Sequence, residues 1–212
     1  NKSLTLVGEN RANGLEEPLG MTPGTVVTVT ADNVTVSNFT IQNSGGWPED
    51  AGIRLDGSEG SIIINNSIRN NVRSIDLMYS VSNVISGNTI SDAGYCGVAL
   101  RDSHNNTIIG NVIVSNVLQI HGFQLSESNS NTLSNNIVHG SGTDYGISLT
   151  YSDHNNITIN LFLSSEVGIN LGADSNYNKI IGNNITLSSK YGILAGAGGN
   201  VIYHNNFINN VR

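Results

Sequence analysis

The sequence holds one cysteine, three prolines and no run of apolar residues long enough to cross a bilayer as a helix, and each shortage removes a class of protein. A single thiol, Cys96, cannot close an internal disulfide, so packing and hydrogen bonds must hold the fold. Cys96 itself reads as a small buried packing residue, with an intermolecular thiol link as the alternative. With no stretch of 18 apolar residues, a membrane span is not expected in this chain. Charged residues are only 12% of the total and the formal net charge is −7, so the basic footprint of a nucleic-acid binder is missing. Residues 1 to 20 lack the charged and apolar regions of a signal peptide. The abrupt opening Asn1-Lys2-Ser3 reads as a mature or excised portion of a longer protein.

What is abundant is asparagine, at 33 residues, and glycine, at 24. Both serve sharp turns and neither serves helix interiors, so the composition predicts a chain that is nearly all β. One phrase then recurs: Gly52-Ile53-Arg54-Leu55, Ser74-Ile75-Asp76-Leu77, Gly97-Val98-Ala99-Leu100, Gly122-Phe123-Gln124-Leu125, Gly146-Ile147-Ser148-Leu149, Gly168-Ile169-Asn170-Leu171 and Gly192-Ile193-Leu194-Ala195. Its steps of 22 to 25 residues mark a solenoid, in which each repeat buries its apolar face only against its neighbours.

Between these phrases lie short β-branched runs broken by Gly or Asn, such as Val84-Ile85-Ser86-Gly87-Asn88-Thr89-Ile90 and Ile180-Ile181-Gly182-Asn183-Asn184-Ile185. Three strands of three to five residues per repeat predict a right-handed single-stranded parallel β-helix of eight or nine coils, stacked at roughly 4.8 Å per coil. The aliphatic positions of the recurring phrase point inward. Asn66, Asn88, Asn111, Asn136, Asn160, Asn183 and Asn205 keep nearly the same period and are expected to form an inward amide ladder at a bend, while Asn38 is also expected inside. Linking the two phrases is Leu-x-x-Ser-x-x-Asn, as in Leu100/Ser103/Asn106.

Residues 1–212 are read as one domain. Residues 1–43 form irregular first coils, with strands at Ser3–Val7 and Thr25–Val29 and a loop over 8–24. A loop excursion over 44–51 carries the only Trp, and regular repeats fill 52–212. Loops of this kind are where a solenoid places binding residues.

The opening cadence Asn1-Lys2-Ser3-Leu4-Thr5-Leu6-Val7-Gly8-Glu9-Asn10, followed by the Asn-x-Thr-Ile-x-Gly-Asn and Gly-Ile-x-Leu repeats, resembles the NosD-like family of parallel β-helix proteins. The likeness runs over nearly the whole chain and overlaps with repeats called carbohydrate-binding and sugar-hydrolase domains, abundant in archaeal cell-surface proteins. It implies the β-helix and an extracellular or cell-surface location. It says little about activity, because one scaffold carries lyases, hydrolases, epimerases, adhesins and structural proteins. In the family a further strand and cap commonly precede the Lys-Ser-Leu-Thr-Leu segment, which accords with an excised piece. The family name is tied to copper delivery, yet the sequence has no Met/His/Cys cluster, and His104 and His154 fall two coils apart, roughly 10 Å, too far to share one metal. No metal or other cofactor is expected.

The variable position of the recurring phrase faces out, giving a row Arg54, Asp76, Ala99, Gln124, Ser148, Asn170 and Leu194. Charge and aromatics crowd one end of it. Arg54, Asp56, Arg73, Asp76, Tyr79, Tyr95, Arg101 and Asp102 are the candidate glycan-binding residues, since guanidinium forks grip carboxylates and aromatic rings stack on sugars. The competing reading is a set of solvated ion pairs across neighbouring coils. The expected function is a non-catalytic cell-surface module whose partner is a carbohydrate or another surface protein. A uronate lyase or epimerase using Asp76 with Arg73 or Arg101 is the second possibility, and a self-assembling sheath or filament subunit, stacked end to end or laterally, the third. Sequons at Asn33, Asn105 and Asn156 are candidate glycosylation sites.

Overall fold

A computed structural model describes residues 4–7, 24–114, 121–140 and 145–211. The loop expected over 8–24 lies outside the described residues except for Gly24.

Every regular element among the described residues is a short parallel strand, and the strands stack into three sheets. A first sheet runs from Leu4–Val7 and Val34–Ser37 to Lys179–Ile181 and Val201–Tyr203. A second runs from Thr40–Gln42 to Asn184–Thr186 and Asn206–Ile208. The third carries the recurring phrase, in Val27–Val29, Ala51–Asp56, Arg73–Met78, Cys96–Arg101, His121–Ser126, Tyr145–Thr150, Val167–Leu171 and Tyr191–Ala195. Among the described residues seven complete three-strand coils run from Val34 to Ala195, fewer than the eight or nine the period predicts, with Leu4–Val7 and Val27–Val29 stacked on the first and Val201–Tyr203 and Asn206–Ile208 on the last.

The register stacks like on like. Ile53, Ile75, Val98, Phe123, Ile147 and Ile169 lie over one another, as do Leu55, Leu77, Leu100, Leu125, Leu149 and Leu171, and all are fully buried. One further column comes from each of the other sheets, such as Ile85–Ile108–Leu133 and Ile90–Ile113–Val138. Full burial of an Ile or Leu side chain contributes about 1.5–3 kcal/mol, so these four columns are the main source of stability. Ile202 and Phe207 continue two of these columns and are 40% and 52% exposed.

The Gly that opens six of the seven phrases has a steric cause. A Cβ on Gly146 would lie 2.5 Å from the carbonyl oxygen of Gly168 and 2.6 Å from Cδ1 of Phe162, and Gly97, Gly122 and Gly168 meet their neighbours in the same way. In these four coils the third sheet approaches the second too closely for a side chain, whereas in the Ser74 coil the same place holds a fully buried serine.

Corners are made by left-handed residues. At the bend between the first and second sheets, Asn38, Asn65, Gly87, Gly110, Asn135, Ile159 and Gly182 all have positive φ. Asn and Gly tolerate this conformation, whereas β-branched Ile159, at φ 56, is strained. Asn38 is exposed on that corner, not inward as its sequence position implies, because the inward place belongs to the residue after the left-handed one. From Asn66 to Asn183 that next residue is the ladder asparagine, at most 2% exposed. Asn88 is typical: its side-chain amide donates to the Ile63 carbonyl at 2.9 Å and to Oδ1 of Asn111 at 3.0 Å, and Asn111 Oδ1 also accepts the Asn88 backbone N–H. Asn205 ends the column half-exposed.

The linking phrase Leu-x-x-Ser-x-x-Asn proves to be two more ladders. Asn83, Asn106, Asn131, Asn155, Asn178 and Asn200 repeat the amide pattern at the bend between the third and first sheets. Alongside, the backbone N–H groups of Ser58, Ser80, Ser103 and Ser128 each donate to the hydroxyl of the next coil's serine. Buried polar groups at the bends are thus paired coil to coil, which lets so polar a sequence enclose a dry core.

Candidate functional site

The outer face of the third sheet carries the row the sequence predicts: Arg54, Asp76, Ala99, Gln124, Ser148, Asn170 and Leu194 stand in register. Over its first coils folds the loop between Gln42 and Ala51. Asp50 pins that loop, accepting the Gly24 N–H at one carboxylate oxygen and the Trp47 N–H at the other, each at 2.9 Å. Ala51 already belongs to the strand, so the excursion ends at Asp50.

Four of the eight candidate residues meet beneath this loop. Asp76 is fully buried. Its oxygens accept from Arg54 Nε at 3.1 Å and from Arg101 Nε and Nη2 at 3.1 and 2.6 Å. Arg101 also reaches Glu49, which Arg73 approaches at 3.3 Å. The remaining guanidinium groups hold the loop backbone: Arg54 donates to the Glu49 carbonyl and Arg73 to the Pro48 carbonyl. Three cations against two carboxylates leave the cluster one positive charge in surplus. Burial by itself would raise the Glu49 carboxyl, but the guanidiniums of Arg101, Arg73 and Arg54 outweigh it and hold the group below its ordinary range. For Arg101, burial opposes the charge, and the bonds to Asp76 and Glu49 more than restore it, raising its pKa.

Tyr95 joins the cluster through Arg73, whose guanidinium carbon lies 5.0 Å from the ring centroid. The stack continues to His121, edge-on at 6.1 Å, and then to Tyr145, parallel at 5.1 Å. Burial lowers the His121 pKa from its ordinary value. Arg73 covers part of Tyr95, and Tyr79, 60% exposed on a left-handed corner, is the more open aromatic surface. Asp56 and Asp102 are exposed and stand apart from the guanidiniums. Met78 separates Asp56 from Arg101 in the register, and Asp102 accepts from His104 at 3.1 Å.

Glu49 is the member that the sequence pattern missed. It lies 52 residues from Arg101, outside the repeat, and the only signal for it was the acidic Trp47-Pro48-Glu49-Asp50 excursion. Among the glycosylation candidates, Asn33 and Asn105 stand exposed on corners, while Asn156 lies within a strand between Thr132 and Lys179.

A family model described as "Periplasmic copper-binding protein (NosD)" matches residues 28–212. The chain belongs to the NosD family. That description places the family outside the cytoplasm, and no helix among the described residues is long and apolar enough to cross a membrane. No curated protein matches the sequence. Solved structures with a similar fold include the periplasmic alginate epimerase AlgG, at 16% identity and TM-score 0.56 over 85% of this chain and 42% of that one. The tailspike of E. coli bacteriophage HK620, as a mutant in complex with a hexasaccharide, matches at 14% identity and TM-score 0.61 over 87% and 40%. DFA-IIIase from Arthrobacter chlorophenolicus A6, as a mutant with DFA-III, matches at 15% identity and TM-score 0.66 over 99% and 55%. This NosD chain therefore spans about half or less of each of these proteins and shares their fold.

Copper, which the family's description raises, needs clustered soft or imidazole donors. Among the described residues no three His, Cys, Asp or Glu side chains come together. His104, His121 and His154 lie on separate coils, bonded to Asp102, stacked on Tyr145 and stacked on Tyr177 respectively. Cys96 is buried and its thiol is pushed up to about 12 by burial, the reverse of what a thiolate ligand requires. The described residues do not fit a copper site.

Proposed function

We propose that this NosD-family chain is a non-catalytic β-helix module of the cell exterior that binds glycans through the outer face of its first three coils. The observation that carries this reading is the convergence of Arg54, Arg73 and Arg101 on one patch of a protein whose net charge is −7. A local surplus of guanidinium groups, with Tyr95 against Arg73, suits a sugar bearing carboxylates, which planar forks grip and aromatic faces support. An alginate epimerase, a tailspike with a bound hexasaccharide and an enzyme with bound DFA-III are among the proteins of like fold, and this supports a saccharide partner.

Catalysis stands second for a geometric reason. A uronate lyase or epimerase needs a base that reaches the proton α to the carboxylate. Asp76, the acid best placed for it, is fully buried and both its oxygens already accept guanidinium bonds. The test is a panel of neutral and acidic polysaccharides assayed for binding and for unsaturated or epimerised products in the same samples. Binding without product supports the module, product formation supports the enzyme, and failure to bind any member overturns the glycan reading.

A further inference from the structure

The Glu49 carboxylate sits in an unusual place. It is carried by a loop outside the repeat and is 60% exposed at its side chain. Yet it lies against the guanidiniums of Arg101 and Arg73, whose side chains are 25% and 7% exposed. The two carboxylates of the cluster play different parts. Asp76 is built into a strand and fully enclosed, so it is a fixed counter-ion for Arg54 and Arg101. Glu49 is held from the solvent side and is the most exposed member of the cluster. Beneath it, Arg73 keeps Nε buried with no partner, and the cluster retains its one surplus positive charge even with Glu49 in place. A guanidinium left with an unmatched donor is a site that a second, better-placed oxyanion would satisfy.

We infer that Arg73 and Arg101 form a carboxylate-binding subsite which the chain fills with its own Glu49, and that a uronate residue of an acidic glycan enters by displacing the Trp47–Glu49 segment. This rests on the glycan reading above and names its ligand class and its gate. The exchange is like for like: one carboxylate leaves two guanidiniums and another arrives, so no charge is stranded in the half-buried patch. Specificity follows from the same exchange. A neutral sugar cannot replace the Glu49 carboxylate and would leave Arg73 without a carboxylate partner and Arg101 with Asp76 alone, so the latch selects acidic glycans.

The loop carries its own reporter, since Trp47 is the only tryptophan in the chain, stands two residues from Glu49 and is 51% exposed. Hexagalacturonate is titrated into the protein and into Glu49→Gln, with maltohexaose as the neutral control, following heat by calorimetry and Trp47 fluorescence. The expected result is that hexagalacturonate binds and shifts the Trp47 emission while maltohexaose does neither. Glu49→Gln should bind the uronate about fivefold more tightly, the release of one partly exposed ion pair, and should begin with an emission close to the bound form. Glu49→Ala, which leaves no side chain to compete, is expected to agree in direction. If the uronate binds the parent but both variants bind equally or more weakly, Glu49 is a structural clasp and the displacement is wrong. If both sugars bind alike, the glycan reading survives and the carboxylate subsite does not. If neither binds the parent or the variants, the glycan reading itself falls.

Discussion

Arg101 donates to both carboxylate oxygens of Asp76, Nε to Oδ1 at 3.1 Å and Nη2 to Oδ2 at 2.6 Å, although 25 residues separate them in the sequence. One turn of the solenoid brings them together on adjacent strands. Because Asp76 is fully buried, Asp76→Asn would leave the half-buried Arg54 without a counter-ion and Arg101 with Glu49 alone. The expected loss is about 3 kcal/mol. Chemical denaturation measures it, and a loss below about 1 kcal/mol would mark the pair as an ordinary surface interaction.

The amide ladder predicts a second loss. Asn111 donates to the Ile85 carbonyl and to Asn136, and its oxygen accepts two N–H groups of Asn88, so Asn111→Leu strands partners on both neighbouring coils. A cost of about 3 kcal/mol or more is expected, seen as a lower melting temperature. Asn135→Gly, one coil further and exposed on its left-handed corner, should be close to neutral.

Gly146 and Gly198 make a matched pair. At Gly146 a Cβ would be forced to 2.5 Å from a carbonyl oxygen, whereas at Gly198 it would meet nothing within 4 Å. Gly146→Ala should destabilise by about 1–3 kcal/mol and Gly198→Ala by almost nothing, read from the same melts.

These contacts also explain how much of the molecule is legible in its sequence. The Gly-Ile-x-Leu phrase is readable because each of its letters answers to one constraint repeated in nearly every coil: no room for a Cβ, an inward aliphatic, an outward side chain, another inward aliphatic. Asn66 to Asn205 are readable for the same reason. Asn83 and its successors keep an equal period, but they are spaced from serines that form a ladder of their own, which hides them inside a linking motif. Asn38 keeps the corner and loses the ladder because Phe39 occupies the inward place at that step. The candidate site is half legible. Arg54 and Asp76 follow from the outward row and Arg101 from the position just after the phrase, whereas Glu49 sits in a loop that obeys no period, and only the fold brings it onto the arginines.

Ile159 predicts a gain. It is the β-branched member of a corner otherwise filled mostly by Asn and Gly, at φ 56 and 63% exposed, so it adds strain and covers little. Ile159→Asn should raise stability by about 1 kcal/mol.

Acid should open the loop over the site. The Glu49 carboxyl titrates lower in the folded protein than in the unfolded chain, so its contribution is present above the unfolded carboxylate range and is lost as pH falls through the lowered folded value. Trp47 emission should therefore hold steady from pH 7 down to the normal carboxylate range and change below it. Glu49→Gln should remove that transition.

The most direct measurement is calorimetric titration of hexagalacturonate into the parent protein and into Arg73→Gln, because Arg73 contacts Glu49 and the loop but not Asp76. Binding by the parent, weakened about tenfold or more in a variant that melts cooperatively, is the predicted result. Equal binding by both proteins would contradict the assignment of the arginine face as the glycan site.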